Sequence, residues 1–223
     1  MVITVLPPGT TVNGKKVKDF IKKYWQAVCP LPKEDNPIWD NDGSKDESFN
    51  RSINEDLFML SPSIYPQTPL TRNIKVPRGK GLFIPIVPVE VSECETKRNI
   101  VSVAATDQAS IDRNSLIFEL GLEDNLDDKT NILNDYKVNP FDIGNVTFPS
   151  ETEAVFNIIE SKDSCKAVTA GRYVMTDPLP PPPPGKKYKV RYGGMLNCSP
   201  PNPSADCIEA KYREDITYII TLL

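Results

Sequence analysis

Polar and apolar residues follow two different rhythms along this chain. In Thr10–Val28 the apolar positions Val17, Phe20, Ile21, Tyr24, Trp25 and Val28 recur at three- and four-residue spacings, with Lys15, Lys16, Lys18, Lys22 and Lys23 opposite. That period predicts one amphipathic helix over about 14–28, capped by Thr11 or Asn13 and stopped by Pro30 and Pro32. The plain reading is a helix that covers one end of a sheet. A membrane- or acid-binding helix is the alternative, and Asp19 interrupts its basic stripe. Residues 33–72 are polar and irregular, apart from an apolar patch at Leu57–Leu60, and are expected to form a long loop.

From residue 73 the pattern becomes that of strands. Ile74 and Val76 open one, Pro77-Arg-Gly-Lys80 reads as a hairpin turn, and Leu82–Val91 is a nearly continuous apolar run. Such a run suits a strand covered on both faces, with Pro85 and Pro88 limiting where its ladder can form. Residues 95–114 read as a loop or short helix and Ser115–Leu120 as a strand, followed by an acidic turn over Glu123–Lys129. Tyr136–Val138, Val146–Phe148 and Val155–Ile159 are further short strands. Three β-rich runs close the chain, beginning at Arg172, Lys187 and Asp215, and the first two are separated by the proline run that Gly185 ends. The last run is apolar, which places the chain end inside a sheet. Eight to nine strands, one helix and no internal repeat predict a mainly β fold. The expected architecture is an antiparallel β-sandwich or jelly roll with one N-terminal amphipathic helix, forming a single domain over residues 1–223.

Composition sharpens this picture mainly by exclusion. The 22 prolines, spread along the chain, oppose long helices. A net charge of −4 with no concentrated basic patch gives no footprint for nucleic acid. No apolar run reaches the length of a membrane span. Met1–Leu6 is too short for a signal peptide and lacks its basic start, so no leader is visible in this chain. The chain has no histidine, which removes Ser-His-Asp and Cys-His nucleophile arrangements and every histidine-ligated metal site. Neither a Gly-x-Gly-x-x-Gly after a strand nor a Walker-type loop is present.

Five cysteines occur: Cys29, Cys94, Cys165, Cys198 and Cys207. Cys198 and Cys207 bracket a Pro/Ser/Asn loop and are expected to pair, the alternative being two buried thiols. The odd count leaves at least one thiol free or paired between chains. With the sequons at Asn50, Asn145 and Asn197, the cysteine loop favours an extracytoplasmic setting.

The best ligand candidate is Trp39-Asp-Asn-Asp-Gly-Ser-Lys-Asp46, where Asp40, Asp42 and Asp46 surround Gly43 as oxygen ligands do in calcium loops. Ile38 stands where an EF-type loop should open and Phe49 where its bidentate Glu should be, so a solvated Asp/Gly turn is preferred, with calcium the candidate ion. Trp39 is the tryptophan better placed to stack a sugar ring, its alternative being burial at the loop base. Trp25 belongs under the helix.

The order of motifs from Tyr24 onward resembles a family of uncharacterised secreted proteins of archaea and bacteria. Its aromatic helix corresponds to Tyr24-Trp25-Gln26 and its Pro-Asn-Pro segment to Pro32–Pro37 with Asp40. The Val-Pro-x-Gly-Lys strand corresponds to Val76–Lys80 with Leu82–Ile86. Tyr136-Lys-Val with Pro140-Phe141, Tyr173–Leu179 and Pro184-Gly-Lys186 follow. The chain departs from that pattern at Tyr24, at Ala170-Gly-Arg-Tyr173 and in its five-proline run. The resemblance implies secretion and a β-sandwich, and brings no catalytic residue with it. The functional expectation is a secreted or cell-surface module that binds a glycan or a cell-surface protein without catalysis. Its contacts are expected at Trp39, Asp40, Asp42 and Tyr65 on the long loop. The alternatives are a polysaccharide-active enzyme using two carboxylates and a structural surface-assembly protein.

Overall fold

The computed structural model describes residues 3–63, 69–150, 158, 164–196 and 212–223. Within them, two sheets stack face to face and a helix covers the outer face of one. The four-stranded sheet runs β3 (Leu57–Met59), β5 (Gly81–Ser92), β9 (Cys165–Met175), β8 (Lys137–Val146). The five-stranded sheet runs β4 (Leu70–Val76), β11 (Tyr212–Leu222), β10 (Tyr188–Leu196), β6 (Ile111–Leu122), β7 (Asn125–Asp128). The fold is mainly β and sandwich-like, as the strand pattern predicts.

Alternation fixes which face meets which. Ile84, Ile86 and Val174 of the four-stranded sheet pack against Phe118, Val190, Tyr192, Tyr218 and Ile220 of the other. Between those residues on β10 and β11 stand Arg191, Thr217 and Asp215 on the outer, solvated face, where Arg191 forms a two-pronged pair with Asp215. On the far side of the four-stranded sheet, α1 (Val17–Val28) buries Phe20, Ile21, Tyr24, Trp25 and Val28 against Phe83, Ile143 and Tyr173. This sheet is therefore covered on both faces, which is why β5 reads as a continuous apolar run.

The helix begins later than expected. Asn13 (φ 50°) and Gly14 (φ 80°) turn the chain between two-residue strands β1 (Thr11–Val12) and β2 (Lys15–Lys16). Positive φ at both central residues is the geometry that an Asn-Gly pair favours in a hairpin, so neither Thr11 nor Asn13 caps α1. Lys16 takes the cap position instead, and Asp19 accepts its N–H at 2.7 Å.

Other differences from expectation have equally local causes. The 33–72 segment carries α2 (Ser44–Ile53) as well as β3, because Asp40 and Asp42 supply acceptors for the amides that open a helix. Residues 100–109 form α3 (Ile100–Ala109), in agreement with the loop or short helix expected at 95–114, and the Asn99 side chain caps it by accepting from Ser102 N–H. The acidic turn expected at 123–129 contains strand β7, paired with β6. Strands expected separately at 136–138 and 146–148 are one bulged strand, β8. The turn at Pro77–Lys80 is not a hairpin, since it carries the chain from one sheet to the other. β4 therefore pairs with β11 and β5 with β3, both in parallel, so the sheets are mixed rather than wholly antiparallel. The strand expected at 155–159 lies outside the described residues, save for Ile158, which is in no strand.

Candidate functional site

Each residue expected to form the ligand loop can now be placed. Asn36, wholly buried, donates to Val28 O and accepts from Ile38 N–H, which seats the short helical turn Pro37–Trp39. Trp39 is only 4% exposed and packs with Phe49 and the α1 residues, so it is a core residue and offers no stacking platform. Asp40 is buried as well, and its carboxylate accepts the N–H groups of Asp42, Gly43, Lys45 and Asp46 at 2.8–3.1 Å. Asp42 is exposed and accepts from Ser44 N–H at 2.9 Å; that bond holds its carboxyl below the usual range. Asp46 points inward to Arg72. The three acids face different donors, and among the described residues no cluster of three or more His, Cys, Asp or Glu is arranged to hold a metal ion. Tyr65, Cys198 and Cys207 lie outside the described residues.

Arg72 is the hub of this region. It enters from β4, wholly buried, and its Nε and Nη2 donate to Asp40 O at 3.0 and 2.7 Å. Nη1 donates to Ser61 O at 2.8 Å, to Asp46 Oδ2 at 3.2 Å and to the Tyr218 hydroxyl. Tyr218 in turn donates to Asp46 Oδ2 at 2.8 Å, and Tyr192, stacked on Tyr218, donates to Ser61 O. One guanidinium thus ties the 40–46 turn, the 61–62 segment and two central strands together. Burial pushes the Asp46 carboxyl up to about 7, with Arg72 pulling it back. Asp46 Oδ1, Ser61 Oγ and Tyr24 Oη are buried without a hydrogen-bond partner, although the Ser61 hydroxyl is near enough to stabilise the charged forms of both Asp46 and Tyr24.

A second unusual place lies where several ladders break together. The β5–β9 register shifts between Ile86 and Val89, so Val87 and Pro88 both oppose Gly171. The β8–β9 register shifts opposite the same segment, and the β10–β6 register shifts at Gly193/Met195. Val87 holds φ 45°, a left-handed conformation that strains a β-branched residue by about 1–3 kcal/mol. Its N–H donates to Glu214 Oε2 at 2.9 Å, while Ser63 N–H donates to the other carboxyl oxygen at 3.3 Å. Glu214, 2% exposed, is pushed up to about 7 by burial, and the two amides oppose that shift. Gly193 is required here, because a Cβ would stand 2.0 Å from Glu214 O on β11. Coincident bulges and a strained residue are typical of places that re-aim side chains for function. Arg172, 3% exposed, stands on β9 opposite Ile86, beside this bulge.

Open space lies elsewhere. A cavity of about 280 Å³ sits between α2 and the end of β4, lined by Glu47, Arg51, Lys75, Lys80 and Leu223. Another of about 220 Å³ borders α3 at Arg98, Ser102 and Asp107, where burial raises the Asp107 carboxyl to about 6. The disulfide Cys94–Cys165 joins the end of β5 to the start of β9 with its Cα atoms 5.7 Å apart, and Cys29 is a buried free thiol. No described helix is long and apolar enough to cross a membrane. Comparison with protein-family models, curated proteins and solved structures returns no match.

Sequence reasoning missed Arg72, Glu214, Val87 and Arg172. A signal was present for the last two, since Pro85, Pro88, Gly171, Gly193 and Gly194 interrupt strands, and Gly or Pro inside a strand marks a bulge. Arg72 and Glu214 stand in ordinary alternating strands and carry no such mark.

Proposed function

We propose that this chain is an extracytoplasmic module that binds a glycan or a cell-surface protein and does no catalysis of its own. The Cys94–Cys165 bond carries the reading, because a structural disulfide persists where the surroundings are oxidising. The resemblance to a secreted family points the same way. Binding is favoured over carboxylate catalysis by how the two acids raised furthest are held. Asp46 and Glu214 are sealed from solvent and engaged by Arg72, Tyr218 and backbone amides, whereas a glycosidase pair faces a cleft that admits a sugar and water.

With Trp39 and Asp40 in the core, the contact surface moves to exposed Asp42 and the α2 cavity, where Arg51, Glu47 and Lys75 offer hydrogen-bonding groups for sugar hydroxyls. The test is glycan-array and whole-cell binding of the wild type, Asp42→Ala and Arg51→Ala, alongside a broad polysaccharide turnover screen. Retained folding with binding reduced in both variants and no turnover is the expected result. Turnover abolished by Asp46→Asn or Glu214→Gln replaces this reading with the enzyme. Concentration-dependent self-association without ligand binding replaces it with a structural assembly role.

A further inference from the structure

Arg172 differs from the other described buried charges in having no acceptor. Its Nε and Nη1 are buried and make no hydrogen bond, whereas Arg72 spends all three of its nitrogens. The residue shares a face of β9 with Val174, in the core between the sheets, and with Ala170, in the cluster beneath α3. It therefore sits in the seam between those two packed regions, beside the bulge at Val87 and Pro88. Gln108 closes one side of the seam by donating to Val138 O and Gly171 O. Arg113, exposed near the start of β6, lies close enough to repel it.

A buried guanidinium with unmet N–H groups is costly, and a second positive charge nearby adds to the cost. Burial and Arg113 both act to lower the Arg172 pKa, and among the described residues no carboxylate offsets them. A water molecule could meet the N–H groups but could not answer two like charges; an anion does both. We propose that Arg172 and Arg113 form a binding site for an oxyanion, a phosphate, sulfate or carboxylate group, with Arg172 as the inner contact and Arg113 at the mouth. Guanidinium matches such groups in shape and charge, and its hydrogen bonds to them are among the stronger ones in proteins. The site does not depend on where the protein resides or on the α2 surface.

The experiment is calorimetric titration and thermal unfolding of the full chain with inorganic phosphate, sulfate or acetate, against chloride at equal ionic strength. The wild type should bind one oxyanion per chain and unfold at higher temperature in its presence. Arg172→Met should lose that response and, without oxyanion, be at least as stable as wild type, an outcome that a purely structural arginine would not give. Arg113→Gln, at an exposed position that folding does not require, should bind roughly tenfold more weakly or worse. The phosphate and acetate arms separate a tetrahedral oxyanion from a carboxylate. No saturable response in the wild type, or an equal response in wild type and Arg113→Gln, overturns the proposal even if Arg172→Met fails to fold.

Discussion

At the scale of single residues, this molecule is organised by what it does with buried charge. Arg72 makes two hydrogen bonds to Asp40 O and further ones to Ser61 O, Asp46 and Tyr218, so nearly every proton of its fork is matched. Removing it would leave the Asp46 carboxyl in the core without its cation, the costly half of a broken buried pair. We expect Arg72→Met to lose about 3–5 kcal/mol of stability in urea unfolding. The double variant Arg72→Met/Asp46→Leu should recover part of the loss, because it leaves neither charge behind. A single variant within about 0.5 kcal/mol of wild type would show that the hub is dispensable. Asn50 illustrates the same economy of polar groups. Its side-chain amide bonds Asp46 O, Met59 O and Met59 N–H, so the first sequon is occupied by the fold, whereas Asn145 is exposed.

At the scale of elements, the features legible in the sequence were those set by local pattern. The α1 stripe and the paired-face coverage of β5 could be read because periodicity reports which faces are buried, and the C-terminal run does lie between β4 and β10 in the middle of its sheet. The partners of strands could not be read. β4 joins β11 across the whole chain, and nothing in Asn73–Val76 announces that neighbour. α2 was hidden because its residues are mostly polar and its stability comes from Asp40, which precedes it. Cysteine pairing was equally out of reach, since Cys94 and Cys165 are separated by 71 residues and meet only because β5 and β9 are neighbours. A cross-link over that span should contribute on the order of 4 kcal/mol by restricting the unfolded chain. Cys94→Ser/Cys165→Ser should lose stability of that order. Cys29, whose thiolate burial disfavours, should resist alkylation until the protein unfolds. Mass measurement of native, unreduced protein checks the second point, and rapid labelling of Cys29 would contradict it.

At the scale of the whole molecule, these buried acids couple folding to pH. In the folded protein burial holds Asp46 and Glu214 at about 7 and Asp107 at about 6, against ordinary values of 3.8 for Asp and 4.5 for Glu. Between the ordinary and the raised values the folded state binds more protons than the unfolded state, so unfolding free energy falls as pH rises. The stability linked to these groups is fully present below about pH 4, declines through the raised values and is gone above about pH 7. Asp56, Asp124 and Asp142 are shifted the opposite way by hydrogen bonds from the Asn13 side chain, Lys186 and the Gly144 amide respectively, but they lie near the surface and act mainly below pH 4, where solvent screening keeps their effect small. The expected outcome is a stability maximum near about pH 4, with a decline of several kcal/mol by pH 8. Glu214 gives the cleanest test because its carboxyl accepts from the backbone amides of Ser63 and Val87, and among the described residues no cation forms an ion pair with it. Glu214→Gln keeps an amide acceptor for the Val87 bulge and removes the titration, so its urea midpoint should change less between pH 5 and pH 8 than that of the wild type. A wild-type midpoint that rises over that interval would mean that Glu214 is ionised in the folded state, and that the bulge at Val87 is pinned by a carboxylate rather than by a neutral acid.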